Sequence, residues 1–119
     1  MIFKRRIEVF RTIFNELQSI SEIINEEKDW SKRAMARDKD GEQLNDPQDP
    51  RAVSWCILGA CNKINASPDV YSYLNYLANE LGYSDISRFN DLVTWEQFTR
   101  FYLYAIETAS KPTIIKGKK

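Results

Sequence analysis

The 119-residue chain has no histidine, and it contains only two cysteines, four glycines and four prolines. Histidine is the commonest general base and metal ligand near neutral pH. Its absence excludes Ser-His-Asp and Cys-His nucleophilic systems and histidine-based zinc sites. Any catalysis would have to rest on aspartate or glutamate. We therefore expect a protein that is not an enzyme and that has no catalytic residues, metal or cofactor.

The two cysteines, Cys56 and Cys61, lie five positions apart in a segment that the apolar pattern predicts to be helical. On one helix they would be turned about 140° from each other, with Cα atoms on the order of 8 Å apart, so they would not form a disulfide. Cys56 follows Trp55 in an apolar run, where burial raises a thiol pKa. We interpret it as a small core residue rather than a nucleophile.

The 17 basic residues balance the 17 acidic ones, so no net charge attracts the protein to nucleic acid or anionic membrane. The chain has no run of about 18 apolar residues, and basic residues interrupt its start too early for a signal peptide. We expect a cytoplasmic protein without membrane contact. Nucleic-acid binding would require the basic residues of the two ends to form one patch: Lys4, Arg5, Arg6, Arg11, Lys111, Lys116, Lys118 and Lys119.

The spacing of apolar residues predicts a compact all-α domain of four helices over residues 1–112, followed by a basic, mobile tail at 113–119. The first helix is expected at about residues 3–27, with an amphipathic pattern. The second begins with Asp49 as N-cap and Pro50 as first helical residue, and it runs to about Asn65. Gly59 inside this helix predicts that a backbone or an aromatic ring packs closely against it.

The third predicted helix begins at Ser67-Pro68 and ends before Gly82. The segment 83–93 is expected to be a short turn. Thr94 and Gln97 have the spacing of a capping box for the last helix, which ends at Lys111-Pro112.

The segment between helices 1 and 2 is expected to be an irregular loop. Asp40-Gly41 is a tight-turn signal, which leaves open a small hairpin at about 34–44. The loop is rich in carboxylates, but Gly41 is the fourth residue counted from Asp38, whereas a calcium-binding EF-hand loop has its glycine at position six. A solvated acidic loop is the better interpretation.

Several residues occur in a distinctive order: Trp30, Ala36, Asp38, Gly41, Asp49-Pro50, Ala52, Trp55-Cys56-x-x-Gly59-Ala60 and Phe89-Asn90-Asp91 before Thr94. This order resembles a small uncharacterised family of bacterial and phage proteins over about residues 7–110. The resemblance implies an all-helical fold and a phage or prophage origin. It implies no activity and no catalytic residues.

Asn90 and Asp91 precede the last helix, where such side chains commonly bond the local backbone. The alternative is a polar pocket in which they bind a planar or cationic ligand such as a nucleobase, with Trp30 and Trp55 as stacking walls. This alternative predicts a small-ligand or nucleotide-binding domain.

Our principal prediction is a small binding protein, a monomer or homodimer, that engages a host or partner protein. The candidate interface residues are aromatic and lie off the main apolar stripes: Tyr73, Tyr76, Phe101 and Tyr104. From its size and implied origin, we also expect it to act as an anti-defence inhibitor, for example of the anti-CRISPR type.

Overall fold

The computed structural model describes the backbone of residues 2–111 and the side chains of residues 8–111. Five helices lie within these residues: α1 (Ile2–Ile23), α2 (Ile57–Lys63), α3 (Pro68–Glu80), α4 (Ile86–Leu92) and α5 (Trp95–Ala109). A 3-10 turn occupies Glu27–Asp29, and three short strands follow as β1 (Ala36–Arg37), β2 (Gln43–Leu44) and β3 (Ser54–Trp55). The prediction of an all-α, four-helix domain was therefore wrong: the fold is α+β.

The core lies where α1 packs against both α3 and α5. The apolar stripe of α1 predicted from the sequence supplies Ile13, Leu17 and Ile20, all of which are buried. Tyr102 of α5 is also buried, and its hydroxyl donates a hydrogen bond to the Leu17 carbonyl. This bond satisfies the polar end of a core aromatic residue and joins α5 to α1.

The predicted helix at 50–65 is wrong over its first half. The Asp49 carboxylate accepts the Arg51 backbone N–H (2.9 Å) in a local turn and caps no helix. The chain then extends as β3, and α2 begins only at Ile57. Cys56 is its N-cap, with Sγ accepting the Gly59 N–H at 3.2 Å. Pairing with a distant strand outweighed the local helix signals.

The three strands form one antiparallel sheet in the order β2-β1-β3. The β1–β2 pair is the hairpin left open by the sequence, with Ala36 opposite Leu44 and Gly41 at φ 83° in the turn. On its other edge, β1 places Ala36 opposite Trp55. The sheet therefore anchors the long segment between α1 and α2.

The segment 83–93 forms α4 rather than a turn, which is a second correction. Asp85 is its N-cap, and the carboxylate accepts the Arg88 N–H at 2.8 Å. The predicted bounds of the third helix are confirmed, as Gly82 follows α3 at φ 97°. The Thr94–Gln97 capping box of α5 is also confirmed.

Gly59 is in close contact with a neighbouring backbone, as predicted. A Cβ built on Gly59 would overlap the carbonyl of Met35, the residue just before β1. Because any side chain would collide with this carbonyl, the glycine allows the loop before β1 to lie directly on α2.

The predicted tail at 113–119 and most residues of the predicted basic patch lie outside the described side chains. Of that patch, Arg11 is exposed, and Lys111 pairs with Glu107 at 3.3 Å. Within residues 2–111, no helix is both long enough and apolar enough to cross a membrane.

Candidate functional site

Asn90 on α4 joins three segments that are distant in sequence. Its Oδ1 accepts hydrogen bonds from Trp30 Nε1 (2.8 Å) and from the Ile57 backbone N–H (3.0 Å). Its Nδ2 donates to the Ser31 carbonyl at 3.0 Å. The side chain is only 1% exposed, so its polar atoms are committed to these contacts.

Asp91 lies beside this network and fixes the backbone of Arg33. Its Oδ1 accepts the Arg33 N–H at 2.9 Å and one Asn90 Nδ2 hydrogen at 3.2 Å. Arg33 has φ 61°, a left-handed conformation that is uncommon for residues other than glycine. The Asp91 carboxylate therefore stabilises a strained turn next to Asn90.

The two tryptophans of the predicted pocket make different contacts. The Trp30 ring packs against Trp95 and Phe98, with ring centroids 5.6 and 4.8 Å away. Trp55 Nε1 donates to the Pro47 carbonyl at 3.0 Å. The backbones of Trp30 and Trp55 form a parallel bridge, so the structure does bring the two residues together.

A cleft of about 310 Å³, here called the polar cleft, lies between α4, the start of α2 and the loop before β1. Asn90 and Asp91 line it, but neither tryptophan does. The other lining residues are Arg33, Ala34, Met35, Gln43, Cys56, Leu58 and Ser87. The cleft thus has charged groups of both signs and apolar groups around one small volume.

A larger groove of about 510 Å³, here called the apolar groove, lies between the end of α3, α4 and α5. Its apolar lining residues are Leu77, Leu81, Tyr83, Phe89, Val93, Phe101 and Tyr104. Its polar lining residues are Glu80, Gln97 and Arg100. The Phe89 ring packs against Phe101 (centroids 4.3 Å apart) and edge-on against Tyr83 (5.1 Å). The groove is therefore aromatic along α4 and α5.

The four predicted interface residues lie on α3 and α5. Phe101 and Tyr104 both line the apolar groove, with Phe101 buried and Tyr104 57% exposed. Tyr76 is 59% exposed, one turn before the groove residue Glu80 on α3. Tyr73 is half-buried against Phe10, and its hydroxyl donates to the Ala105 carbonyl at 2.7 Å.

Burial leaves both thiols in surroundings that disfavour the thiolate. Burial raises the pKa of Cys56, although hydrogen bonds from the Gly59 and Leu58 backbone act in the opposite direction. Burial is also the main reason that the pKa of Cys61 rises to about 12, with Cys56 and Glu16 adding to the effect. A nucleophilic cysteine needs a lowered pKa, so neither environment activates its thiol.

Sequence reasoning missed most of the residues that line these surfaces, with Leu81, Glu80 and Arg33 among them. Leu81 and Glu80 line the apolar groove at the end of α3, and Arg33 lines the polar cleft. Leu81 continues the apolar spacing of Leu74 and Leu77, so the sequence pattern favours its burial, whereas the residue is 59% exposed. No local pattern marks Arg33, because its position follows from the distant Asp91.

Comparison with known sequences and structures places the chain in a family but gives no function. The chain belongs to DUF6197, a family of unknown function whose model matches residues 12–108. Membership in an uncharacterised family is thereby confirmed. No curated protein and no solved structure matches the chain. Nothing in these comparisons supports the predicted phage origin or anti-defence role.

Proposed function

We propose that this protein is a non-enzymatic binding protein that holds an amphipathic helix of a partner protein in the apolar groove. The observation that carries the proposal is the groove itself, which has a volume of about 510 Å³ and is lined mainly by aromatic and aliphatic side chains. Amphipathic helices commonly bind by laying an apolar face into such a groove. We also propose that the protein acts in the cytoplasm.

Exposed apolar side chains at the groove support an occupant that removes them from water. Leu81 is 59% exposed and Tyr104 is 57% exposed, although both line a concave surface. Burying apolar area contributes about 25 cal/mol per Å², so covering these side chains would favour association. Tyrosine is also enriched at protein interfaces, because its ring contributes area and its hydroxyl stays near water.

Charge at the rim supports a basic residue on the partner helix. Arg100 is already paired with Glu96 of its own helix at 2.9 Å. Glu80 is exposed and forms no ion pair within 4 Å among the described residues. A lysine or arginine beside the apolar stripe of the partner would complement Glu80 and fix the direction of binding.

Photo-crosslinking from the groove tests this proposal. A photoreactive amino acid is placed at position 104 in the groove and, as a matched control, at position 103. Leu103 is the neighbouring residue on α5, is 67% exposed and does not line the groove. We expect a distinct partner protein to cross-link at 104 and not at 103, through a helical segment with an apolar stripe and a basic residue.

The purified partner is then measured against groove variants. Leu81→Ala and Tyr104→Ala should each weaken binding by about tenfold or more, while Leu103→Ala should leave it unchanged. Glu80→Lys should also weaken binding. Equal cross-linking at 103 and 104, no cross-linking at 104, or capture of only a second copy of this chain would each contradict the proposal.

A further inference from the structure

The polar cleft is a second concave site, separate from the apolar groove in position and chemistry. Its apolar side is formed by Met35, Cys56 and Leu58, and polar side chains of Arg33, Ser87 and Asp91 lie around the same volume. Its size of about 310 Å³ is at the lower end of the range of small-molecule sites, which is about 300–1,000 Å³. It would accept a small ligand only.

Two opposite charges share this cleft without neutralising each other. Among the described residues, Arg33 forms no ion pair with Asp91 or with any other carboxylate within 4 Å. The two residues are instead joined through the Arg33 backbone N–H, which donates to Asp91 Oδ1. Asp91 Oδ2 accepts no hydrogen bond from a described residue. Two residues of opposite charge therefore line one cleft, and neither the Arg33 side chain nor Asp91 Oδ2 has a partner among the described residues.

The remaining cleft residues restrict the chemical class of ligand that the cleft can bind. The polar atoms of Asn90 form hydrogen bonds with Trp30, Ile57 and Ser31. Asn90 therefore stabilises the wall of the cleft and does not form a hydrogen bond with the ligand. The Cys56 thiol lies against the Met35 thioether, with sulfurs 4.0 Å apart. This part of the cleft therefore offers a soft, uncharged surface to an aliphatic or thioether chain.

From this arrangement we infer that the polar cleft binds a free α-amino acid with an unbranched or γ-branched apolar side chain. The ligand carboxylate pairs with the Arg33 guanidinium, and its ammonium group donates to Asp91 Oδ2. Its side chain covers the surface of Met35 and Leu58. A ligand that carries only one of the two charges would leave Arg33 or Asp91 without its partner.

The test is a titration of the protein, followed by ¹H-¹⁵N correlation spectra, with L-methionine and L-leucine as probes. We expect saturable shifts centred on the amides of Arg33, Ser87 and Asp91. Glycine lacks the apolar chain, isoamylamine lacks the carboxylate and 4-methylvalerate lacks the ammonium group. All three should bind about tenfold more weakly or worse.

Two variants, each of which removes one charge, identify the groups that bind the ligand. Asp91→Asn retains an oxygen acceptor for the Arg33 N–H, and Arg33→Asn keeps a residue that tolerates a positive φ. Each should lower the affinity for L-methionine by about tenfold or more without changing the folded spectrum elsewhere. Arg88→Asn is the matched control on α4, because Arg88 is exposed and does not line the cleft.

Three outcomes would overturn the inference. The first is the absence of saturable shifts with both amino acids at millimolar concentration. The second is 4-methylvalerate binding as tightly as L-leucine, which would make the site a simple anion site. The third is unchanged L-methionine affinity in both cleft variants. None of these results affects the apolar groove, so the two proposals fail independently.

Discussion

Trp30 and Asn90 are 60 residues apart in the chain, yet the indole Nε1 of Trp30 donates a 2.8 Å hydrogen bond to Asn90 Oδ1. The same oxygen accepts a hydrogen bond from the backbone N–H of Ile57, the first residue of α2. One amide side chain thus holds the turn after α1, the start of α2 and the middle of α4 together. The wall of the polar cleft depends on this arrangement.

Removing the Asn90 amide should destabilise the fold strongly. In Asn90→Ala, buried groups on Trp30, Ile57 and Ser31 lose their partners, and each such loss costs about 1–3 kcal/mol unless water enters. We expect the free energy of unfolding in urea to fall by about 3 kcal/mol. Asn45→Ala, at an exposed position, is the control and should change it by less than about 0.5 kcal/mol. A similar small change in both variants would show that the network contributes little.

Adding one methyl group at Gly59 should also destabilise the protein. Helix propensity alone predicts that Gly59→Ala raises the free energy of unfolding by about 1 kcal/mol. The new Cβ would overlap the Met35 backbone carbonyl, which cannot rotate away as a side chain can. We expect a net loss of about 2 kcal/mol, measured by chemical denaturation.

Gly82→Ala is the comparison for that variant. Gly82 has open space around it, so its substitution costs only the left-handed backbone penalty of about 1–2 kcal/mol. A more stable Gly59→Ala protein would mean that the loop before β1 moves away from α2 at little cost.

The contribution of the α4 N-cap, Asp85, to the free energy of unfolding can be measured with one substitution. Asp85→Ala removes the carboxylate that accepts the Arg88 N–H and should lower the free energy of unfolding by about 1 kcal/mol. Ser84→Ala, one residue earlier and exposed, should have almost no effect in the same denaturation experiment. If the two variants were equally stable, the cap would not contribute to α4.

Cys61 should make stability fall with rising pH above about 9. Burial raises the pKa of Cys61 from 9.0 to about 12, so the unfolded chain releases this proton first. The contribution is fully present below pH 9 and is lost as the pH rises towards 12. Between pH 9 and 10, below the ordinary tyrosine range, wild type should lose up to about 1 kcal/mol more stability than Cys61→Ala. Equal slopes in the two proteins would contradict the raised pKa.

Much of the helical framework could be predicted from neighbouring residues. The apolar stripe of α1, the Ser67-Pro68 start of α3 and the capping box of α5 are local signals, and each lies in a helix of the structure. Asp85 was an equally local signal for α4, and it was overlooked. The error was thus one of interpretation rather than of missing information.

The structure of the segment from Asp49 to Cys56 could not be predicted from neighbouring residues. Its Asp-Pro start and apolar run favour a helix locally, but Ser54 and Trp55 pair with β1 instead. The predicted pocket shows the same limit. Asn90 and Asp91 do line a cleft, while Trp30 and Trp55 pack elsewhere and Arg33 takes a place at the cleft that no pattern indicated.

The sequence by itself determined the helices whose stability depends on contacts within about four residues, together with the tight turn at Asp40-Gly41 and the absence of histidine chemistry. Only the tertiary structure decided the pairing of β3 with β1, the bonds of Asn90, the apolar groove and the polar cleft. These features depend on free energies of contact between segments tens of residues apart, for which local spacing carries no signal. A strand as short as β3 is stable only because β1 and the backbone at Trp30 and Ser31 supply its partners.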